Sequence, residues 1–187
     1  MDLALLVLRV VVGLLFVGHG AQKLFGAFGG GGLEGTAGMF DNIGLRPGWL
    51  HARAAGAAEF GGGALIALGL FTPFAAAILI AVMTAAVITV HAPNGIWNTN
   101  QGYEFNLVMA AAVFALSGVG AGSWSLDNAF SFDLHSAGWA IAALAVGAIV
   151  GVGAVLSGRT SRATSHTRCR SCTRLRHQIA ATSGRPT

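Results

Sequence analysis

Ionisable and hydrogen-bonding side chains are scarce in this sequence, and most of them stand where a long apolar run meets a loop. His19, Gln22 and Lys23 close the first run, Glu59 lies inside the second, His91 closes the third, and Glu104 and Asn106 open the fourth. Arg9 and Asp127 form a second, smaller group. A carboxylate and an imidazole whose surroundings push their proton affinities apart can pass a proton on, so Glu59 and His91 are candidates for general acid–base work. Lys23 is a positive donor suited to an anion or a quinone oxygen. Glu59, His91, Lys23 and Glu104 are therefore the candidate catalytic residues, with His19, Gln22 and Asn106 as candidate contacts for a quinone. The competing reading is structural. Glu59, buried in a helix, needs a counter-charge from Lys23 or His19, and Arg9 is expected to pair with Asp127 at the opposite end.

Other chemistries are weaker. Two histidines on different helices, His19 and His91, make bis-His ligation conceivable, but no spacing demands it, and no metal site is predicted in the apolar part of the chain. The glycines at 29–32 are not followed by Gly-Lys-Ser/Thr, so they are not a phosphate loop. Cys169 and Cys172, with His166 and His177, read H-x2-C-x2-C-x4-H, the outline of a zinc knuckle or a redox pair. The alternative is an arginine-rich segment with incidental cysteines. Residues 1–168 contain no cysteine, so electrons used there must come from a bound cofactor or a partner.

The elements that must position these residues follow from composition. Only 10% of the 187 residues are Asp, Glu, Lys or Arg, against about 25% in soluble domains. Apolar residues make up 54%, and mean hydropathy is +0.67. A water-soluble globule, a disordered chain and a disulfide scaffold are all excluded. Five apolar runs, at 3–24, 52–71, 74–90, 105–118 and 137–156, do not alternate as barrel strands would. A span needs about 20 apolar residues. The sequence thus predicts an all-α integral membrane bundle: four core transmembrane helices within residues 1–130 and a fifth at 137–156. Pro73 predicts a tight hairpin at 71–74. Residues 26–51 and 91–103 are expected to be loops on one side of the membrane, and 123–132 a short interfacial segment.

The charge is divided. Residues 1–158 carry four basic and seven acidic groups, a sum of −3, whereas 159–187 carry seven arginines and no acid. The isoelectric point near 10.0 therefore belongs to the tail and is no argument for nucleic acid. From 158 the tail is rich in Ser, Thr and Arg, and is expected to be disordered. Placing it in the cytoplasm also places Arg46 and Arg53 there, as the positive-inside rule requires, and lets the tail touch anionic headgroups.

The stretches LVLRVVVGLLFVGHGAQKLFG (6–26) and GAAEFGGGALIALGLFT (56–72), the continuation to His91, and 104–127 ending in Gly-Ala-Gly-Ser-Trp-Ser-Leu-Asp resemble the DoxX family of bacterial inner-membrane proteins. The resemblance implies a four-helix membrane bundle, a link to oxidoreduction, and similarity to the small membrane subunit of thiosulfate:quinone oxidoreductase. It also implies a role, as for some relatives, in tying redox-defence enzymes to the membrane. Two functions are expected on these grounds: a membrane component of a quinone-linked oxidoreductase system, or a non-enzymatic scaffold that recruits a soluble redox partner. A permease would need a through path, against which the charge-free third run argues.

Overall fold

The computed structural model describes the chain from Asp2 to Thr182, with side chains as far as Arg159. Regular structure among these residues is entirely helical: α1 Asp2–Phe25, α2 Gly32–Asn42, α3 Gly48–Leu68, α4 Thr72–Ala86, α5 Glu104–Val119, α6 Leu126–Ala129 and α7 Ala137–Thr182. A π-helical turn, Val87–His91, and a 3-10 turn, Ala92–Asn94, prolong α4.

Local chemistry sets the ends. The Gly48 N–H at the start of α3 donates to Asp41 Oδ1 at 2.9 Å, satisfying one of the donors a helix start leaves open. At the other end Gly69 takes a left-handed φ of 65°, and the N–H groups of Gly69 and Leu70 close onto the carbonyls of Ile66 and Leu65. Thr72 and Pro73 then begin α4, because proline costs nothing in a first turn. The hairpin therefore falls where Pro73 predicts it.

The 26–51 region differs from the expected loop. It contains α2, and α3 starts at Gly48, earlier than its apolar run suggests. Leu33, Ala37 and Phe40 share one face of α2 and pack with Leu45, Ala52 and Val155, while Gly35 and Gly38 look into open space. The burial of that face outweighs the low helix propensity of its glycines. The bounds of α7 also reach past Gly158, where composition places a disordered tail. No glycine or proline interrupts the chain between 159 and 182 to end the helix. The side chains of the tail, with Cys169 and Cys172, lie outside the described residues.

α1 packs along α3, α3 on α4, and α4 on both α5 and α7, while α5 meets α7 and, more thinly, α1. The helices α1, α3, α4 and α5 close a ring that α7 flanks. Glycines let α1 and α3 approach: a Cβ added at Gly63 would lie 2.6 Å from the Gly13 carbonyl oxygen. Gly63→Leu is expected to force the two helices apart at about 1–3 kcal/mol, read from thermal unfolding in detergent. Gly61→Ala, where a Cβ meets nothing within 4 Å, should leave the midpoint unchanged.

The exterior is apolar. Leu3, Val7, Val11 and Leu14 line the outer face of α1, and Ile141, Ile149 and Val150 that of α7, each more than half exposed. Such a surface suits lipid and not water. Three helical segments, Asp2–Phe25, Thr72–Asn94 and Ala137–Arg159, are long and apolar enough to cross a membrane. α5, with 16 residues, is shorter, and α3 is made more polar by His51, Arg53 and Glu59. The chain is thus a helical membrane protein in which three of the five expected spans have spanning character by themselves. The Arg46 N–H donates to the Gly158 carbonyl at 3.2 Å, so α7 passes the connection between α2 and α3 at Gly158. Arg46, Arg53 and Arg159 accordingly share one end of the bundle.

Candidate functional site

The basic end of the bundle holds one buried ion pair. Glu59, in the middle of α3, is 3% exposed, and its Oε2 lies 2.6 Å from Nζ of Lys23, which is 23% exposed. Lys23 reaches it because α1 ends at Phe25 while α3 runs on alongside α2. The second carboxylate oxygen, Oε1, has no hydrogen-bond partner among the described residues. His19, one turn earlier on the same face of α1, lies within electrostatic reach of Glu59. Its ring meets that of Phe105 on α5, with centroids 5.5 Å apart and planes tilted by 58°. The neighbouring Asn106 is buried and donates to Met83 Sδ on α4 at 3.5 Å. Four helices thus contribute to one layer: His19 and Lys23 from α1, Glu59 from α3, Met83 from α4, and Phe105 and Asn106 from α5.

The other candidates are used differently. The Gln22 amide donates to the Phe28 carbonyl at 3.5 Å, holding the turn after α1. His91 Nδ1 lies 2.8 Å from the Gln101 carbonyl oxygen, and Glu104 accepts from the Asn98 N–H at 3.0 Å. Both therefore fasten the 92–103 loop, and neither forms a hydrogen bond or ion pair with Glu59. The π-helical turn rotates the end of α4 and so changes where His91 points, which helical phase alone would not reveal. Phe105 carried no sequence signal, since one aromatic at the start of an apolar run is ordinary.

At the opposite end Arg9 and Asp127 are both buried and within electrostatic reach of each other, but their charged atoms are in contact with other groups. Arg9 Nη1 donates to the Ala121 carbonyl at 2.9 Å, and Nη2 to the Trp124 carbonyl. Asp127 accepts from the N–H groups of Phe71 and Thr72 at 2.7 and 3.1 Å, and from Thr72 Oγ1 at 2.6 Å. The orphan donors at the start of α4 take the carboxylate, and the loop carbonyls take the guanidinium, because backbone groups in lipid must find partners. Both residues pin the 119–129 segment against the bundle. Between the two polar ends the ring is filled by Phe16, Ile66, Leu79, Val113 and Leu116, all buried.

No group of three His, Cys, Asp or Glu side chains among the described residues is arranged to hold a metal ion. The architecture defines a small helical membrane protein with a buried carboxylate–ammonium pair near one end. The DoxX family model matches residues 4–92, which include His19, Gln22, Lys23, Glu59 and His91. A Bacillus subtilis (strain 168) protein named "Putative oxidoreductase CatD" is 32% identical over 119 residues, covering 63% of this chain and 81% of that protein. The chain belongs to the DoxX family. No solved structure matches it.

Proposed function

We propose that this protein is the membrane component of a quinone-linked oxidoreductase system in the bacterial plasma membrane, with its arginine-rich end in the cytoplasm. The observation that carries the reading is the half-satisfied carboxylate. Glu59 is buried, gives one oxygen to Lys23 and keeps the other free to accept a hydrogen bond. Among the described residues only Arg9 Nε is a fully buried atom without a partner, so Glu59 Oε1, unbonded within a buried residue, keeps some accessible surface and is open to a ligand. The similarity to the protein named "Putative oxidoreductase CatD" supports the same class.

The residues fit a quinone. A quinone would supply two-electron, two-proton transfer from within the bilayer. Lys23 has donors to spare for a ring oxygen and holds the site positive beside it. Glu59 is placed to take or give the accompanying proton at Oε1, with His19 as the next proton-exchanging group. Phe105 offers a flat apolar wall. His91 and Glu104, tied into the 92–103 loop, shape the rim in this reading. The electrons enter from a partner or a bound cofactor, since residues 1–168 contain no cysteine.

Purified protein in proteoliposomes should bind a short-chain quinone analogue saturably, and Glu59→Gln should weaken that binding at least about tenfold, equivalent to ~1.4 kcal/mol. Unchanged affinity would remove Glu59 from the site. The alternative is a scaffold that recruits a soluble redox partner. It is favoured by the exposed Trp49, with the Arg53 guanidinium 5.2 Å over its ring, at the end of the bundle where Gly158 lies against His51. A chain that binds no quinone but retains such an enzyme on a column, and loses it on truncation at 158, would establish that reading.

A further inference from the structure

We propose that Glu59 is reached from the bilayer, through the seam between α1 and α5 where the His19 and Phe105 rings meet, and that the ligand is a bilayer-dissolved, flat-ring compound bearing hydrogen-bonding oxygens. The inference rests on reading the Glu59–Lys23 pair as a ligand site, and adds the route and the selecting residues.

The other routes are filled for an apolar molecule, and the opening beside Lys23, which is 23% exposed, is polar. Between α1 and α3 the backbones touch at Gly20, where an added Cβ would lie 2.8 Å from the Gly56 carbonyl oxygen. Between α3 and α4, Leu79 packs against Gly62, where a Cβ would sit 3.0 Å from it. Between α4 and α5, Asn106 and Met83 are in contact. Toward the Arg9 end the apolar core is continuous. Toward the basic end the turn after α1 lies on Gln22, with Gly30 so close that a Cβ there would be 2.6 Å from the Gln22 Cβ. That leaves α1 against α5, the thinnest interface of the ring.

This seam is closed by two rings and no backbone contact is needed to open it. His19 is partly exposed, and Phe105 is 36% exposed. On either side Leu15, Leu107 and Val108 face outward, so the approach is apolar. Rotation of a surface ring takes nanoseconds, far faster than parting two helices. A molecule passing between two aromatic rings is best flat and uncharged, and its oxygens would arrive at Lys23 and Glu59 Oε1.

Carbodiimides test the route without any quinone. The protonated carboxyl adds across a C=N bond of the reagent, its oxygen bonding to carbon and its proton passing to nitrogen, to give an O-acylisourea. The O-acylisourea then rearranges to an N-acylurea, or is attacked by the Lys23 amine to form a Lys23–Glu59 amide with release of the urea. Either product is located by peptide mass spectrometry. In proteoliposomes at mildly acidic pH, apolar dicyclohexylcarbodiimide should label Glu59 several-fold faster than a charged, water-soluble carbodiimide. Phe105→Ala and Phe105→Leu should speed the apolar reagent several-fold, and Phe105→Trp should slow it. Faster labelling by the charged reagent, or an apolar rate indifferent to all three Phe105 variants, would overturn the route. Labelling as expected without protection by a quinone analogue would uphold the route and refute the quinone reading.

Discussion

Replacing Lys23 by methionine is expected to destabilise the bundle by about 3–5 kcal/mol, the cost of leaving a buried charge without its partner. Methionine preserves most of the apolar stem, so lost packing contributes little. The size of the effect follows from the asymmetry of the pair. Glu59 is almost fully enclosed, whereas Lys23 keeps some access to its surroundings. Glu59→Gln should therefore cost less, since the amide oxygen still accepts from Lys23 and the partly exposed ammonium can be solvated. The double variant Lys23→Met, Glu59→Leu should recover much of the loss, because two apolar groups of similar volume need no pairing. Unfolding titrations in mixed detergent would measure all three. Polar contacts between membrane helices average only about 0.6 kcal/mol. A Lys23→Met cost of that size would show that Glu59 is solvated or neutral, and would weaken its candidacy as a charged site.

The second large effect lies at the far end. Asp127→Ala should cost about 3 kcal/mol, since it strips three donors at the start of α4 of a charged acceptor and removes the helix cap. Asp127→Asn should fall between, keeping one good acceptor. The 69–72 turn and the 119–129 segment should loosen together, which limited proteolysis would report as new cleavage after α5. The double variant Arg9→Met, Asp127→Ala distinguishes the observed arrangement from a mutual ion pair. With separate backbone partners, the double loss should exceed either single loss clearly. In an ion pair, the second substitution would add little once the first charge had gone. Neither end-pinning variant should change carbodiimide labelling of Glu59, because the packed core separates the two sites.

Some of this was legible in the residues alone. Scarce charge and unbroken apolar runs dictate helices in lipid, because no other local structure satisfies the backbone there. Pro73 marks the hairpin between α3 and α4. The alternation of runs and loops sends His19, Gln22, Lys23, Glu59, His91, Glu104 and Asn106 toward one end, and Arg9 and Asp127 toward the other. The pairing of Lys23 with Glu59 needs only that α1 and α3 be neighbours, which the glycines on both helices favour. α2 was hidden by its glycines, whose low propensity masks an apolar face that has value only once α3, with Ala52, and Val155 of α7 are there to cover it.

What the sequence determined by itself, then, is the solvent of the protein, its helices and the end of the bundle at which each polar side chain stands. Only the tertiary structure decided which of those side chains meet. Successive residues turn by about 100° around a helix axis, so an error of one residue in phase moves a side chain from the interior to the lipid. The π-helical turn before His91 is such a change of phase, and it hands His91 to the 92–103 loop and not to Glu59. Backbone donors and acceptors at helix ends likewise compete for charges, and their positions exist only in the folded chain. That competition gave Arg9 and Asp127 separate partners, while Glu59, a buried carboxylate with no backbone donor bonded to it among the described residues, was left to Lys23.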